Sequence, residues 1–359
     1  MTPVLYSPDV ESPEEDEAAT IAHINQSLAE LEVEMFDRYR HAVRSVHAKG
    51  HGALAGVLEV GALPPELAQG LFAQPGRYDA AVRVSSSPSD IEPDSVSTPR
   101  GFAIKVLGVE GARVEGSEGD TTQDFLLVSQ AKVGPADLKT FSKGLDLLNR
   151  HSADPDWLKK TVSAVARIGG QTAEAVRLDP VSAGLKGLGY PFLHPLGDSY
   201  FSQVPIRFGD YIAKIGLYPA NEATRALEDV KLDLNGDHSG LRDAVVEFFR
   251  DNEAVYELRA QLCTDLDAMP VEDASKQWDE AVSPYRTIAT LTLPQQDAYD
   301  VARRLWVDDQ LTFNVWHALD AHRPLGRIMR GRRVAYARSV QYRGRMNGCP
   351  MHEPGALAG

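Results

Sequence analysis

The chain has 359 residues, of which 43% are hydrophobic and 25% are charged, and its formal net charge is −14. That length can bury one large core or two smaller ones. The negative charge argues against nucleic acid or an anionic membrane as a partner, because such binding depends on clustered Lys and Arg. Two cysteines, Cys263 and Cys349, are too few for a disulfide framework. Since the sequence shows no secretory leader and no apolar run approaching about 20 residues, we expect a cytoplasmic protein without stable membrane insertion.

The N-terminal segment, residues 1–17, contains three prolines and a run of four acidic residues. Such a composition buries little apolar surface, so we expect a loosely ordered tail. Apolar residues then recur at intervals of three and four: Ile21, Ile24, Leu28, Leu31 and Met35. This spacing predicts one face of a long helix.

Eight strands are predicted from apolar and β-branched runs bounded by turn residues. They cover residues 50–60, 80–85, 101–107, 124–129, 200–208, 211–218, 256–264 and 285–293. Glycines in the first strand suggest a close approach by another group. The dipeptide Gly209-Asp210 indicates a hairpin between the sixth strand and its predecessor.

Helices are predicted between the two groups of four strands, within the second group and after it. They lie within residues 135–185, where a second helix starts near residue 155, and at 239–251, 295–308 and 327–343. We expect one domain over residues 18–346, followed by a C-terminal tail at 347–359.

Four short motifs follow one another along the chain. Residues 44–53 read Arg-x-x-His-Ala-Lys-Gly-x-Gly-Ala, and residues 81–85 read Ala-Val-Arg-x-Ser. Residues 99–105 read Pro-Arg-Gly-Phe-Ala-x-Lys, and residues 332–336 read Arg-x-x-x-Tyr. In this order the series resembles that of the haem catalases, and it spans most of the chain.

The resemblance implies an α+β protein with the catalase-like fold, an antiparallel eight-stranded β-barrel with helices inserted and packed around it. It also implies haem b, buried between the barrel and the helices, with the haem edge close to the glycines of the first strand. The count of eight predicted strands agrees with such a barrel.

On one face of the haem, the resemblance implies Tyr336 as the axial ligand of the iron. Arg332 precedes it by one helical turn and would stabilise the phenolate. Tyr342 is a rival, because Arg338 stands at the same offset. In the family an arginine seven residues after the ligand meets a haem propionate, and Arg343 satisfies this for Tyr336.

On the other face, the resemblance implies His47 as the residue that moves a proton between the peroxide oxygens, since imidazole titrates near neutrality. Ser85 would bond the other ring nitrogen, and Val46 would contact the haem as in catalases. The remaining propionate ligands would be Arg44 and Arg83. We interpret His51 as structural.

The sequence also departs from the family. Catalases carry a distal asparagine before an apolar strand, and the best match here is Thr122. A hydroxyl cannot reproduce the geometry of an amide, which puts efficient oxidation of a second hydrogen peroxide in doubt. The chain also ends soon after the helix that carries Tyr336. We therefore expect a haem more open to solvent than in large catalases.

We therefore expect a haem peroxidase that uses a small-molecule peroxide and an electron donor, with weak catalase activity. A small catalase, a fatty-acid hydroperoxide isomerase similar to allene oxide synthases, and a non-catalytic haem protein stay open. The isomerases tend to carry threonine where this chain has Val46. The arginine-rich end is also compatible with a nucleic-acid patch, which the acidic composition disfavours. The oligomeric state is open, with a homodimer as one expectation.

Overall fold

A computed structural model describes residues 2–96, 98–132, 136–151, 190–349, 351 and 353–357. Nine antiparallel strands lie within these residues. They are β1 (Lys49–Val60), β2 (Gly76–Ser86), β3 (Arg100–Leu107), β4 (Thr122–Val128), β5 (Tyr200–Phe201), β6 (Ile206–Phe208), β7 (Tyr211–Pro219), β8 (Ala254–Leu262) and β9 (Arg286–Leu293).

The sheet closes because the short strand β5 pairs with both β4 and β7. The closed ring therefore contains every strand except β6, which is attached to the edge of β7. Phe208 faces Tyr211 across the β6–β7 turn, and Gly209 there has a φ of 62°. The predicted eight-stranded antiparallel barrel and the hairpin are both confirmed.

Six α-helices accompany the barrel in the described part of the chain. They are α1 (Glu17–Tyr39), α2 (Leu138–His151), α3 (Glu222–Arg225), α4 (Gly240–Asp251), α5 (Val301–Leu305) and α6 (Arg327–Asn347). A π-helix, Trp306–Gln310, continues from α5. The helix predicted from about residue 155 lies outside the described residues. None of the helices within them is long and apolar enough to cross a membrane.

The barrel is filled by a continuous apolar core, in which Leu54, Val82, Phe102 and Leu127 are buried. Because successive strand residues point to opposite faces, the residues between these point out of the barrel. A second core packs the long helices together: Ile24, Leu28 and Leu31 of α1 meet Leu138 of α2 and Ile328, Met329 of α6.

Rows of paired residues cross the outer face of β1 to β4. Ala53, Arg83, Ala103 and Leu126 form one row, and all but Arg83 are small or apolar. In the adjacent row at one side, Ser85 pairs with Gly101. On the opposite side of the first row, Lys105 pairs with Asp124. This outer face, called the platform below, positions the candidate site.

The N-terminal segment makes specific contacts with the rest of the protein. The amide of Val4 donates to the carbonyl of Cys263, and that of Tyr6 to the carbonyl of Asp210, both at 2.8 Å. Arg330 of α6 pairs with Glu11 at 2.6 Å. Loose ordering of residues 1–17 stays a prediction about their behaviour in solution.

Strand packing accounts for two of the glycines in β1. A Cβ atom at Gly56 would lie 2.4 Å from Leu293 Cδ2 and 2.8 Å from the carbonyl oxygen of Thr292. One at Gly52 would lie 3.1 Å from Val245 Cγ1 of α4. Their missing side chains therefore allow β9 and α4 to approach β1.

Replacing Gly56 by alanine should destabilise the protein by about 1–3 kcal/mol, because the added methyl group overpacks the contact with β9. Gly61, just after β1, is the control, since a Cβ there would meet nothing within 4 Å. The free energy of unfolding in urea should fall for Gly56→Ala and stay within about 1 kcal/mol for Gly61→Ala. Equal values for the two variants would contradict this account of the strand contact.

Candidate functional site

His47 lies in the connection between α1 and β1, with a backbone φ of 53° that non-glycine residues seldom adopt. Its Nδ1 atom is 3.4 Å from Ser85 Oγ, and its Nε2 atom is 3.3 Å from Ser87 Oγ. A Cβ atom on Gly101 would come within 2.7 Å of His47 Nδ1 and 2.8 Å of Ser85 Oγ. The glycine of the third motif therefore leaves space for the histidine and serine of the first two.

The environment of His47 holds its imidazole neutral. Desolvation, followed by the charges of Arg83 and Arg332, lowers the pKa of His47 to about 3. This value lies well below the near-neutral titration expected from the sequence. At neutral pH the ring is therefore uncharged and has one unprotonated nitrogen.

The fourth motif lies on α6. This helix runs unbroken through Arg332 and Tyr336, which stand one turn apart on one side of it. Tyr336 is partly buried and packs against the helical core, which also contacts Leu126 of the platform. Arg332 makes no hydrogen bond or ion pair with another described residue, yet its charge reaches His47.

The rival Tyr342 has different surroundings. Its ring packs edge-on against Phe36 near the end of α1, with 6.4 Å between the ring centroids. Arg345 lies over the same ring at 5.8 Å. These contacts occupy Tyr342 at the α1–α6 interface, whereas Tyr336 packs on the apolar cluster that Leu126 also contacts.

Three arginines from distant parts of the sequence converge on Asp308 of the π-helix. The Asp308 carboxylate accepts from Arg83 Nε at 2.9 Å and from Arg44 at 3.2 Å. Arg343 donates to its carbonyl oxygen at 2.5 Å. The structure thus brings together Arg44, Arg83 and Arg343, the residues predicted to hold propionates.

The charges in this arginine cluster affect one another strongly. Burial and the neighbouring Arg83 lower the pKa of Arg343 to about 10. Burial alone would raise the pKa of Asp308, but Arg83 and Arg44 bring it below its usual range. The Nε atom of Arg343 is buried without a hydrogen-bond partner among the described residues. This N–H group is therefore left to donate a hydrogen bond to an anionic oxygen.

Two residues of the site, Asp308 and Ser87, were not predicted from the sequence. Asp308 was placed at the end of an ordinary helix, and no sequence signal shows that a π-turn directs its carboxylate at the arginines. Ser87 could have been found, because the strand period of two places it on the same side as Ser85.

Thr122 is not brought to His47. Its hydroxyl accepts from Lys105 Nζ at 3.3 Å and donates to Glu353 at 2.6 Å. Lys105 also pairs with Asp124 at 2.8 Å, and His317 pairs with Glu353 at 2.8 Å. Thr122 thus belongs to a buried polar cluster that joins residues 353–357 to the barrel.

Val46 is 37% exposed. Its contact with a haem stays a prediction.

No protein-family model and no curated protein sequence matches the chain. Among solved structures, catalase A from Saccharomyces cerevisiae matches with a TM-score of 0.59 and 15% identity, over 87% of this chain and 63% of that one. A fungal catalase gives the same TM-score and identity over 91% of this chain and 69% of its own. A bacterial catalase gives them over 91% and 62%.

This likeness shows that the chain has the catalase fold, as predicted, although it spans under two thirds of the yeast enzyme. The four motifs fall on the strands, connection and helix described above. The barrel positions the first three, and α6 carries the fourth.

His317 should make stability depend on pH. Burial alone would lower its pKa, but hydrogen bonds to Asp124 and Glu353 raise it from 6.5 to about 9. A raised pKa in the folded state gives stability that is complete below pH 6.5 and is lost as pH rises through 9. His317→Gln should therefore cost about 1.5–3 kcal/mol of unfolding free energy in weak acid and much less in alkali.

The control for this prediction is His23→Gln. His23 pairs with Asp146 at 3.0 Å, but its side chain is 56% exposed, so little stability should depend on it. Urea unfolding of both variants at about pH 6 and about pH 10 gives the comparison. A cost for His317→Gln that stays constant or grows with pH would show that the ring is not held protonated.

Proposed function

We propose that the protein is a haem-dependent peroxidase, which reduces hydrogen peroxide or organic hydroperoxides, including fatty-acid hydroperoxides, with electrons from a small donor. The observations that support this proposal are that His47 lies against Ser85 and Gly101 of the platform, and that Tyr336 packs on the same apolar cluster as Leu126. The three solved structures reported above are named as catalases, which supports peroxide chemistry.

The residues present fit a haem. Tyr336 offers an oxygen ligand, and Arg332, which has no other partner in the described residues, would favour its phenolate form. Arg44, Arg83 and Arg343 would bind the propionates, and the buried unpaired Nε of Arg343 offers one further donor. A bound haem would supply the redox-active iron at which the peroxide is reduced.

In this reaction the residues of the protein would bind and orient the hydroperoxide and move protons. Reduction of ROOH consumes two electrons and two protons and yields ROH and water. Neutral His47 can take the proton of the hydroperoxide and return it to the departing oxygen. The hydroxyls of Ser85 and Ser87, at 3.4 and 3.3 Å, orient the ring. A side chain at position 101 would clash with the ring, so Gly101 permits this position of His47.

Oxidation of a second hydrogen peroxide requires an additional oriented donor. Thr122, the best match for the asparagine of catalases, uses its hydroxyl on Glu353 instead. The loss of one such donor commonly costs a few kcal/mol of transition-state stabilisation. Peroxidation is therefore favoured over dismutation.

Replacing Tyr336 by phenylalanine should weaken haem binding at least about tenfold, because the iron loses its oxygen ligand. Tyr342→Phe is the matched control and should bind haem like the wild type. Haem content after purification and a titration followed by absorption measure both. Retention of haem by Tyr336→Phe together with its loss from Tyr342→Phe would move the ligand to Tyr342.

The haem-loaded protein should oxidise an added donor when given a hydroperoxide and should evolve little oxygen from hydrogen peroxide. His47→Ala should keep the haem and react with peroxide about 100-fold to 10,000-fold more slowly, as loss of general acid–base catalysis predicts. Stopped-flow absorption and an oxygen electrode provide the rates.

Other outcomes would select other functions. Rapid oxygen evolution without oxidation of any donor indicates a small catalase. Conversion of a fatty-acid hydroperoxide without a donor indicates an isomerase. A haem protein that reacts with neither is a carrier or sensor, and the proposal then fails.

A further inference from the structure

A cavity of about 340 Å³ lies beside the arginine cluster. It is formed by the connection from α1 to β1, the start of α4 and the α5–π-helix segment. Arg44 and Asp308 line it and also belong to the arginine cluster, so the two sites adjoin. The volume is within the range of small-molecule sites, roughly 300–1,000 Å³.

The cavity carries positive charge in an otherwise acidic protein. Its lining includes four basic side chains and two carboxylates: Arg44, Lys49, Arg242 and Arg304 with Asp308 and Asp309. His41 and His238 add two imidazoles. The chain as a whole has a net charge of −14, so this concave surface is an exception that attracts anions.

Two of the four cations are already bound. Lys49 pairs with Asp94 at 2.6 Å and donates to the carbonyl of Glu92 at 2.7 Å. Arg44 is taken up by Asp308 and by backbone carbonyls. They fix the shape of the cavity and contribute charge, but they have little capacity for a ligand.

Arg304 differs from them. Its guanidinium makes no ion pair or hydrogen bond with another described residue, and its Nε atom is buried. It lies over the ring of Tyr299, 5.3 Å from the ring centroid. Arg242 lies over the same ring at 5.1 Å, and in the described part of the chain its ion pair is with the exposed Asp243. Two guanidiniums and an aromatic ring thus border the cavity.

We propose that this cavity binds a small planar organic anion, with its carboxylate on Arg304 and its flat part beside Tyr299. Guanidinium groups pair with carboxylates in bidentate fashion and stack on flat groups. We also propose that this anion is the electron donor of the peroxidase, a part that rests on the proposed function.

A catechol carboxylate illustrates the balance of the reaction. The catechol loses two electrons and two protons and becomes an ortho-quinone. The hydroperoxide takes up those electrons and protons, its O–O bond breaks, and an alcohol and water form. Because the cavity shares Arg44 and Asp308 with the arginine cluster, the donor lies next to the predicted propionates.

The binding test uses 3,4-dihydroxybenzoate and its neutral analogue 3,4-dihydroxybenzamide, titrated calorimetrically into the full chain at low ionic strength. The anion should bind at least tenfold more tightly than the amide. Arg304→Gln should weaken binding of the anion at least tenfold. Arg259→Gln is the control, because Arg259 lies over the ring of Tyr218 at 4.4 Å but outside the cavity.

Saturable binding of the anion that Arg304→Gln weakens and Arg259→Gln leaves intact supports the site. Absence of saturable binding, equal affinity for the anion and the amide, or equal affinities of the two variants would overturn it. Thermal unfolding of both variants verifies that they fold.

The donor role is tested separately with the haem-loaded protein. Arg304→Gln should raise the KM for oxidation of the anion at least tenfold while leaving the KM for the amide within twofold. An unchanged KM for the anion would overturn the donor role. If the anion binds but no donor is oxidised at all, the proposed peroxidase function fails, whereas the anion site stands.

Discussion

The arrangement of the site depends on the ionised carboxylate of Asp308. Arg44, Arg83 and Arg343 come from the α1–β1 connection, from β2 and from α6, and three adjacent guanidiniums would repel one another without a counter-charge. Asp308 accepts from two of them through its carboxylate and from the third through its carbonyl. The barrel, the π-helix and α6 are thereby joined at one point, which fixes α6 beside the platform.

That junction connects the fold to the proposed chemistry. Ala53 and Ala103 place no bulky side chain on the platform, and Gly101 leaves space for His47 against Ser85. A site of this kind requires a proton carrier on one side and an anionic ligand on the other. In the proposed function His47, in the connection between α1 and β1, would be the first and Tyr336 of α6 the second, while the arginine cluster would bind carboxylates. The proposed anion cavity adjoins this cluster.

Much of the fold could be predicted from sequence, because strand alternation and turn residues are local signals. β3 begins at Arg100 and ends at Leu107, within a residue of the prediction for 101–107. The run 200–208 was predicted as one strand but forms two, because Gln203 has a φ of 64° and interrupts the pairing. The site was less predictable. The direction of the Thr122 hydroxyl depends on a partner 231 residues away, and the low pKa of His47 depends on burial and on two distant arginines.

The most direct test of the account is the absorption and resonance Raman spectrum of the protein during titration with haem. We expect saturation at an equimolar ratio, with the charge-transfer band and iron–oxygen vibration of a ferric phenolate. Failure to saturate, or a spectrum of histidine or thiolate ligation, would contradict it.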